Sequence, residues 1–290
     1  MNMKLHFLNV GNGDCTIVEL PDGNLMMVDI CNGGGTNRQL TDPIVYLYNL
    51  RPNPSLFRYV QTHPDMDHMD GLALLERKCT ITNFWDTENT KPKPDFSSPY
   101  SKGKPADWDA YQRLRKNAIH FYRGTNPVTL KGGGRLPYDL YVLHPTKEAV
   151  EAANRSEEWN HAAYVLLLQY ASFKVLIAGD VDDSVWEELY DWASRNSITR
   201  TLVSNITVFK VSHHGRRSGY CGADWLKLTN PKEIVISKGS VPREQSAYGN
   251  YYNYKKGAEH LWLTSQGDVI CYYDSASNKY SIKQIPGMIR

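Results

Sequence analysis

The 290-residue chain has no long apolar run. Its longest hydrophobic windows, AAYVLLL at 162–168 and VLIAG at 175–179, are of strand length. A helix that crosses a bilayer needs about 20 apolar residues, so no membrane span is expected. An excess of one charge is also lacking, since 33 Lys and Arg face 31 Asp and Glu for a net charge of +2. This balance argues against a globally basic nucleic-acid binder, and any basic surface must be local. The five cysteines (Cys15, Cys31, Cys79, Cys221 and Cys271) are scattered, odd in number and without a C-x-x-C pair. A disulfide scaffold or zinc knuckle does not fit them, and they read as reduced, mostly buried thiols. The opening MNMKLHFLNVGNGDC has one Lys and neither a long apolar segment nor a small-residue cleavage site. No secretory leader is expected, and the cytoplasm is the default location. Internal repeats and low-complexity linkers are absent too, which favours a single domain.

What is present is a series of strand-length apolar runs that end in polar residues. MKLHFLNV, CTIVEL and LMMVDI form an expected meander that ends on Asp29, with PDGN as a turn. A helix is expected from Asp42 to Leu50, then a strand, FRYVQTH, that leads into PDMDHMDG and a further helical run, GLALLERK. Residues 77–135 are rich in Lys, Pro, Ser and aromatics, with a helix expected around Asp107 to Phe121, and read as an insertion or lid. Strands resume at LYVLHP, HAAYVLLLQY and FKVLIAGD, the last ending on Asp180. A helix is expected from Asp183 to Arg195 with Val185, Trp186, Leu189 and Trp192 on one face, and the strand TVFKVSHHG ends on two histidines. The tail carries EIVISKG, a tyrosine-rich loop, HLWLTSQG, DVICYYD and KYSIKQI. In open α/β sheets, such strand ends are where ligands bind.

Four of these junctions carry residues able to hold metal: Asp29, the run His63-Pro64-Asp65-Met66-Asp67-His68, Asp180, and His213 with His214. The run packs His63, Asp65, Asp67 and His68 into six positions. At average usage, a specified four-position match arises by chance with odds on the order of one in several hundred. Carboxylates crowded in this way repel one another unless a cation compensates. Imidazole and carboxylate without thiolate suit zinc, manganese or iron. Blander readings exist for each group. Asp67 could cap a helix beside a surface imidazole, Asp180 could sit in a turn or cap after Gly179, and Arg216 and Arg217 could be solvated loop charges. His6, His120, His144 and His260 read as structural.

HPDMDHMDG resembles the H-x-H-x-D-H signature of the metallo-β-lactamase superfamily, in the H-x-D-x-D-H form of the hydrolase domain of the bacterial competence protein ComEC and related choline-phosphoesterases. The resemblance extends to FLNVGNGDCTIVELPDGNLMMVDICNGG, NHAAYVLLLQYASFKVLIAGD, VFKVSHHG, and PKEIVISKG with LWLTSQGDVI, in that order. It implies an α/β (α+β) fold, an αββα sandwich in a single domain over 1–290, interrupted by the insertion at 77–135. It also implies two divalent metal ions at one rim, zinc favoured and manganese the alternative. His63 and Asp65 would bind the first, with Asp65 where many relatives have histidine, and Asp67 and His68 the second. Asp180 would bridge the two, and His214 is preferred over His213 to complete the second site. Asn160 or the adjacent His161 would supply a further ligand, and Asp29 would orient a ligand and the catalytic loop.

The mechanism so implied is hydrolysis by a water held between two ions about 3.5–4 Å apart. Asp67, Asp29 and His213 are the candidate catalytic residues, with Asp67 able to take the water's proton. Arg216 and Arg217 are the candidates to meet a phosphate. The implied substrate is a phosphodiester, either nucleic acid (DNA) or a nucleotide. Hydrolysis of a small phosphoester, ester or lactone is the alternative. A third reading is an effector subunit activated by a protein partner bound through 77–135. Departures from the family are Asn12 in place of glutamine, and SVPREQSAYGNYYNYKK after ISKG, which lacks the family's histidine and points to a rebuilt pocket. Trp85, Trp108 and the lysines of 77–135 could line a substrate wall or a partner surface.

Overall fold

The computed structural model describes residues 2–32, 40–97, 104–127, 134–238 and 242–286. Most of the glycine-rich loop after Asn32 and parts of 77–135 lie outside the described residues. The expected meander is present as β1 (Asn2–Phe7), β2 (Thr16–Glu19) and β3 (Leu25–Val28). Its registers are antiparallel, with Phe7 opposite Thr16 and Thr16 opposite Val28. After β4 (Ile30–Cys31) comes α1 (Pro43–Leu50). This helix starts where its sequence dictates. The Asp42 carboxylate accepts from the amides of Ile44 at 2.9 Å and Val45 at 3.1 Å, and Pro43 has no N–H to leave unsatisfied. Asp42→Ala is expected to lower stability by about 1 kcal/mol. The check is the urea unfolding midpoint, and an unmoved midpoint would show that the cap contributes nothing.

The chain continues through β5 (Ser55–Val60), β6 (Met69–Asp70), α2 (Leu72–Lys78), β7 (Thr80–Trp85) and α3 (Pro105–Leu114). The expected helix around 107–121 therefore stops at Leu114. Beyond a short 3-10 turn at Arg115–Asn117, the chain extends again, and the amide of Ile119 donates to the carbonyl of Phe84 at 2.9 Å along the edge of β7. The second half comprises β8 (Asp139–His144), α4 (Lys147–Ser156), β9 (Val165–Tyr170), β10 (Phe173–Ala178), α5 (Asp183–Ser194), α6 (Ser197–Val203) and β11 (Val208–Lys210). It closes with α7 (Gly222–Thr229), β12 (Glu233–Ile236), α8 (Tyr248–Lys255), β13 (Leu261–Leu263), β14 (Asp268–Asp274) and β15 (Lys279–Ile285). HAAYVLLLQY is not one strand: Trp159–Ala162 form a 3-10 turn, and pairing begins at Val165.

Among the described residues, one sheet runs β15-β14-β1-β2-β3-β5-β7, a second runs β13-β12-β11-β10-β9-β8, and β4 pairs with β6. The two large sheets meet face to face. Met26, Val28 and Val60 of the first share a core with Leu166, Leu168, Val175 and Ile177 of the second. Alternate residues face outward, as the two-residue period of a strand requires. Met27 and Tyr59 pack under Leu47 of α1, Leu72 and Leu75 of α2, and Trp108 and Tyr111 of α3. Leu167, Leu176 and Phe209 pack under Trp186 and Leu189 of α5 and Trp225 of α7. Strands buried on both faces explain why the sequence shows continuous apolar runs there instead of alternation. The result is an αββα sandwich. Trp85 and Trp108, offered above as a substrate wall, are core residues at 1% and 3% exposure, so a ligand cannot reach them. No helix among the described residues is long and apolar enough to cross a membrane.

Candidate metal centre

β3 and β5 are parallel, as are β10 and β11, so each pair ends at one rim and delivers the residues that follow it together. Asp29 follows β3, the run His63 to His68 follows β5, Asp180 follows β10, and His213 and His214 follow β11. Local backbone makes the approach close. Gly13, in the loop between β1 and β2, lies so near the 65–68 turn that a Cβ there would be 2.4 Å from the carbonyl oxygen of Asp67. His213, His214 and Gly215 have φ of 50°, 53° and 70°, three left-handed residues in a row. This conformation costs a non-glycine residue on the order of 1–3 kcal/mol and clusters at functional sites. At Gly215 a Cβ would also stand 2.6 Å from Ile236 Cγ2, so only glycine fits.

Ligand atoms of Asp14, His68, Asp180 and His214 all lie within 4.8 Å of one another, and all four residues are buried. His68 Nε2 and His214 Nε2 each stand 3.3 Å from Asp180 Oδ2. Asp67 Oδ2 lies 3.4 Å from His214 Nε2, on a side chain 45% exposed at the mouth of the site. His63 is fully buried, its ring centroid 4.1 Å from that of His68. Asp29 is 1% exposed and lies beside His68. It accepts from the amide of Thr62 at 2.7 Å, from the Thr62 hydroxyl at 2.6 Å and from His68 Nδ1 at 2.7 Å. With Nδ1 committed to Asp29, His68 turns Nε2 to the cluster, the arrangement common for a metal-bound histidine. His63 is held similarly, with Nδ1 3.0 Å from the Thr62 hydroxyl.

These residues fit a divalent cation on an observation independent of any likeness. Nε2 of His63, His68 and His214, with Oδ1 of Asp14 and Asp180, are buried without a hydrogen-bond partner among the described residues. Buried polar atoms are normally satisfied, and a cation shared by His68, His214, Asp180 and Asp14, which cluster together, would satisfy theirs at once. The electrostatics agree. Burial pulls the His214 imidazole down, but Asp180, Asp67 and Asp14 raise it to about 10. His68 is likewise raised well above its ordinary value by Asp180 and Asp29 against burial. Burial raises the Asp180 carboxyl, yet His214 and His68 hold it well below the usual range. These carboxylates favour the charged form of both imidazoles, and a metal ion that takes either nitrogen as a ligand must displace a proton. Binding of zinc at pH 7 is expected to release protons, measured by calorimetry in buffers of different ionisation enthalpy. Heat that does not vary with the buffer would contradict this.

Some expected residues lie elsewhere. His161 is 40% exposed with Nε2 against the Asp182 carboxylate, while its carbonyl accepts from His144 Nε2 at 2.7 Å, so it is turned away from the cluster. Asp182, not Asp180, caps α5, accepting from the Val185 amide. Asn160 takes part through its carbonyl, which accepts from the Ala163 amide at 3.0 Å. His213 is 23% exposed, 3.9 Å from Asp180 Oδ2 and 3.1 Å from the Ser218 hydroxyl, and burial lowers its basicity. Arg216 donates to Gln245 Oε1 at 2.9 Å and Arg217 to the carbonyl of Ser246 at 3.4 Å, neither meeting a carboxylate among the described residues. His144 is fully buried, with burial lowering it to about 4.

Sequence reasoning missed Asp14 and Lys210. Lys210 is 2% exposed and pairs with Asp14 Oδ2, and it also donates to the carbonyl of Ala178 at 2.8 Å. A charge in the middle of the apolar run VFKVS was the available signal, because a buried lysine requires a partner. Asp14 ends the glycine turn after β1 at the same rim, so the strand-end argument that found Asp29 applied to it equally.

Two face-to-face sheets with helices outside and a His/Asp cluster at one rim define the metallo-β-lactamase type of fold. No family profile and no curated protein matches the chain. Among solved structures, a candidate metal-dependent hydrolase of Parabacteroides distasonis is similar over 89% of this chain and 92% of its own, with 12% identity and a TM-score of 0.51. A substituted form of the β-hydroxylase CmlA is similar over 90% of this chain and 52% of its own, with 11% identity and a TM-score of 0.52. At such identities the likeness concerns the fold.

Proposed function

We propose that the protein is a divalent-metal-dependent hydrolase that cleaves phosphodiester bonds in nucleic acid or nucleotides, as a ComEC-type hydrolase domain does. The convergence of buried ligand residues His68, Asp180, His214 and Asp14, with atoms left without a hydrogen-bond partner among the described residues, carries the metal part of this reading. The likeness to a candidate metal-dependent hydrolase supports it. Zinc suits the donor set best, with manganese the alternative. A bound divalent ion supplies Lewis acidity, lowering the pKa of water and drawing charge from a substrate oxygen.

The chain's own residues do the rest. Asp29 fixes the ring of His68 through Nδ1. Asp67, the exposed carboxylate at the mouth, accepts a proton from water at Oδ2. His213, kept neutral by burial, offers Nε2 to hold that proton or the leaving group's. Arg216 and Arg217 face no carboxylate among the described residues and can give their guanidinium N–H groups to phosphate oxygens. This last point favours a phosphodiester over a lactone.

The test is a substrate panel on metal-reconstituted protein: single- and double-stranded DNA, bis-p-nitrophenyl phosphate, a phosphomonoester and a lactone. Cleavage of the diesters is the expected result. Turnover of the monoester or lactone alone would overturn the substrate assignment. Activity that emerges only with a protein partner would move the reading to an effector subunit.

A further inference from the structure

His63 and Asp65, the pair that the resemblance assigns to a first metal ion, already face a cation of the chain's own. Asp65 Oδ1 forms an ion pair with Lys91 Nζ, while Asp65 Oδ2 lies 3.7 Å from His63 Nε2. Lys91 is only 20% exposed, and its ammonium also lies 5.1 Å from the centre of the Trp159 ring. Its position is built, not adopted by a loose arm. The Lys91 amide donates to Asn89 Oδ1 at 3.2 Å, and the neighbouring Thr90 amide donates to Asn154 Oδ1 at 2.9 Å. Asn89 Nδ2 in turn donates to Asp86 Oδ1 at 3.1 Å, and Arg115 locks both ends, donating to the carbonyl of Asn89 at 2.6 Å and pairing with Asp86 at 3.0 Å. His161, offered with Asn160 as a further ligand, lies against Asp182 instead. In the other cluster Asp180 pairs with no lysine or arginine among the described residues, and Asp14, though paired with Lys210 through Oδ2, keeps a buried Oδ1 without a partner, whereas this one has a histidine and a carboxylate whose charge is already met.

We propose that the protein holds one divalent ion per chain, among His68, Asp180, His214 and Asp14, and that the Lys91 ammonium takes the place of a second ion beside His63 and Asp65. The inference rests on the reading of the rim as a metal site. A fixed ammonium neutralises Asp65 and repels a further cation, so the carboxylate's pull on a second metal is lost. Lys91 is then a positioning residue that holds Asp65 and leaves that half of the site with its carboxylate charge already balanced.

The experiment is metal counting by mass spectrometry on zinc-loaded, dialysed protein, with calorimetric titration of the metal-free form. The wild type is expected to hold one ion per chain. Asp65→Asn is expected to hold one as well, because Asp65 is no ligand. Lys91→Met, which exposes the Asp65 charge beside His63, is expected to gain a second ion. Two ions in the wild type, or a fall from two to one in Asp65→Asn, overturn the proposal while leaving the hydrolase reading intact. A Lys91→Met protein that still holds one ion overturns the role given to Lys91. No bound ion in any form overturns this proposal and the hydrolase reading together.

Discussion

Asp180→Ala is expected to lose its metal and, with it, hydrolysis, by more than about 100-fold in metal affinity. Even a residue that only orients a metal ligand costs about 10–100-fold when removed, and Asp180 lies within 3.3 Å of two histidine nitrogens in the cluster. The variant also leaves His68 and His214 without the carboxylate that does most to raise their basicity against burial. The fold should survive, since Asp180 lies beyond the end of β10 and outside the sheet pairing. Metal content after dialysis and turnover of a phosphodiester are the two readings. Full metal content would show that the rim cluster is not the metal site, and full turnover would show that hydrolysis does not depend on it.

Lys210→Met is expected to destabilise the metal-free protein by about 3–5 kcal/mol, the usual cost of leaving half of a buried ion pair alone. Lys210 and Asp14 have side chains 2% and 3% exposed, so water cannot replace the lost partner. Adding Asp14→Asn removes the stranded charge, so the double variant should regain much of the loss, a coupling that a double-mutant cycle measures. The pH dependence has a definite sign. Burial raises the Asp14 carboxyl, but Lys210, then His214 and His68, hold it below its ordinary value. Its contribution is therefore fully present above the unfolded value of about 3.9 and is lost as pH falls through the lower folded value. An equal and small effect of the single and double variants on the urea midpoint would show that the pair contributes little.

The parts of this molecule legible in the sequence are those governed by short-range pattern. Alternation and apolar runs marked the strands of the meander and of 173–178, and metal-capable residues at their ends marked the rim. Asp29, His68, Asp180 and His214 were singled out in this way, and the structure brings them near one another. What stayed hidden was decided by long-range contact. Lys210 meets Asp14 across 196 residues, and Lys91 meets Asp65 across 26, so no local spacing announces either pair. His161 looked equivalent to Asn160 by position. The 3-10 turn at Trp159–Ala162 directs its ring to Asp182 at the start of α5, a choice that depends on where that helix begins. The tryptophans of 77–135 misled for a related reason. Composition marks a segment as aromatic, whereas burial depends on the neighbours it meets: the edge strand β7 turns Trp85 into the central core, and α3 turns Trp108 toward α2.

The reading as a metal-dependent hydrolase stands or falls on whether a divalent ion sits at this rim. The most direct test is anomalous X-ray scattering at the zinc edge from crystals of the zinc-loaded protein. The account predicts a strong peak about 2.0–2.2 Å from His68 Nε2, His214 Nε2 and a carboxylate oxygen of Asp180. A peak elsewhere, or none at the rim while the protein retains zinc, would contradict it.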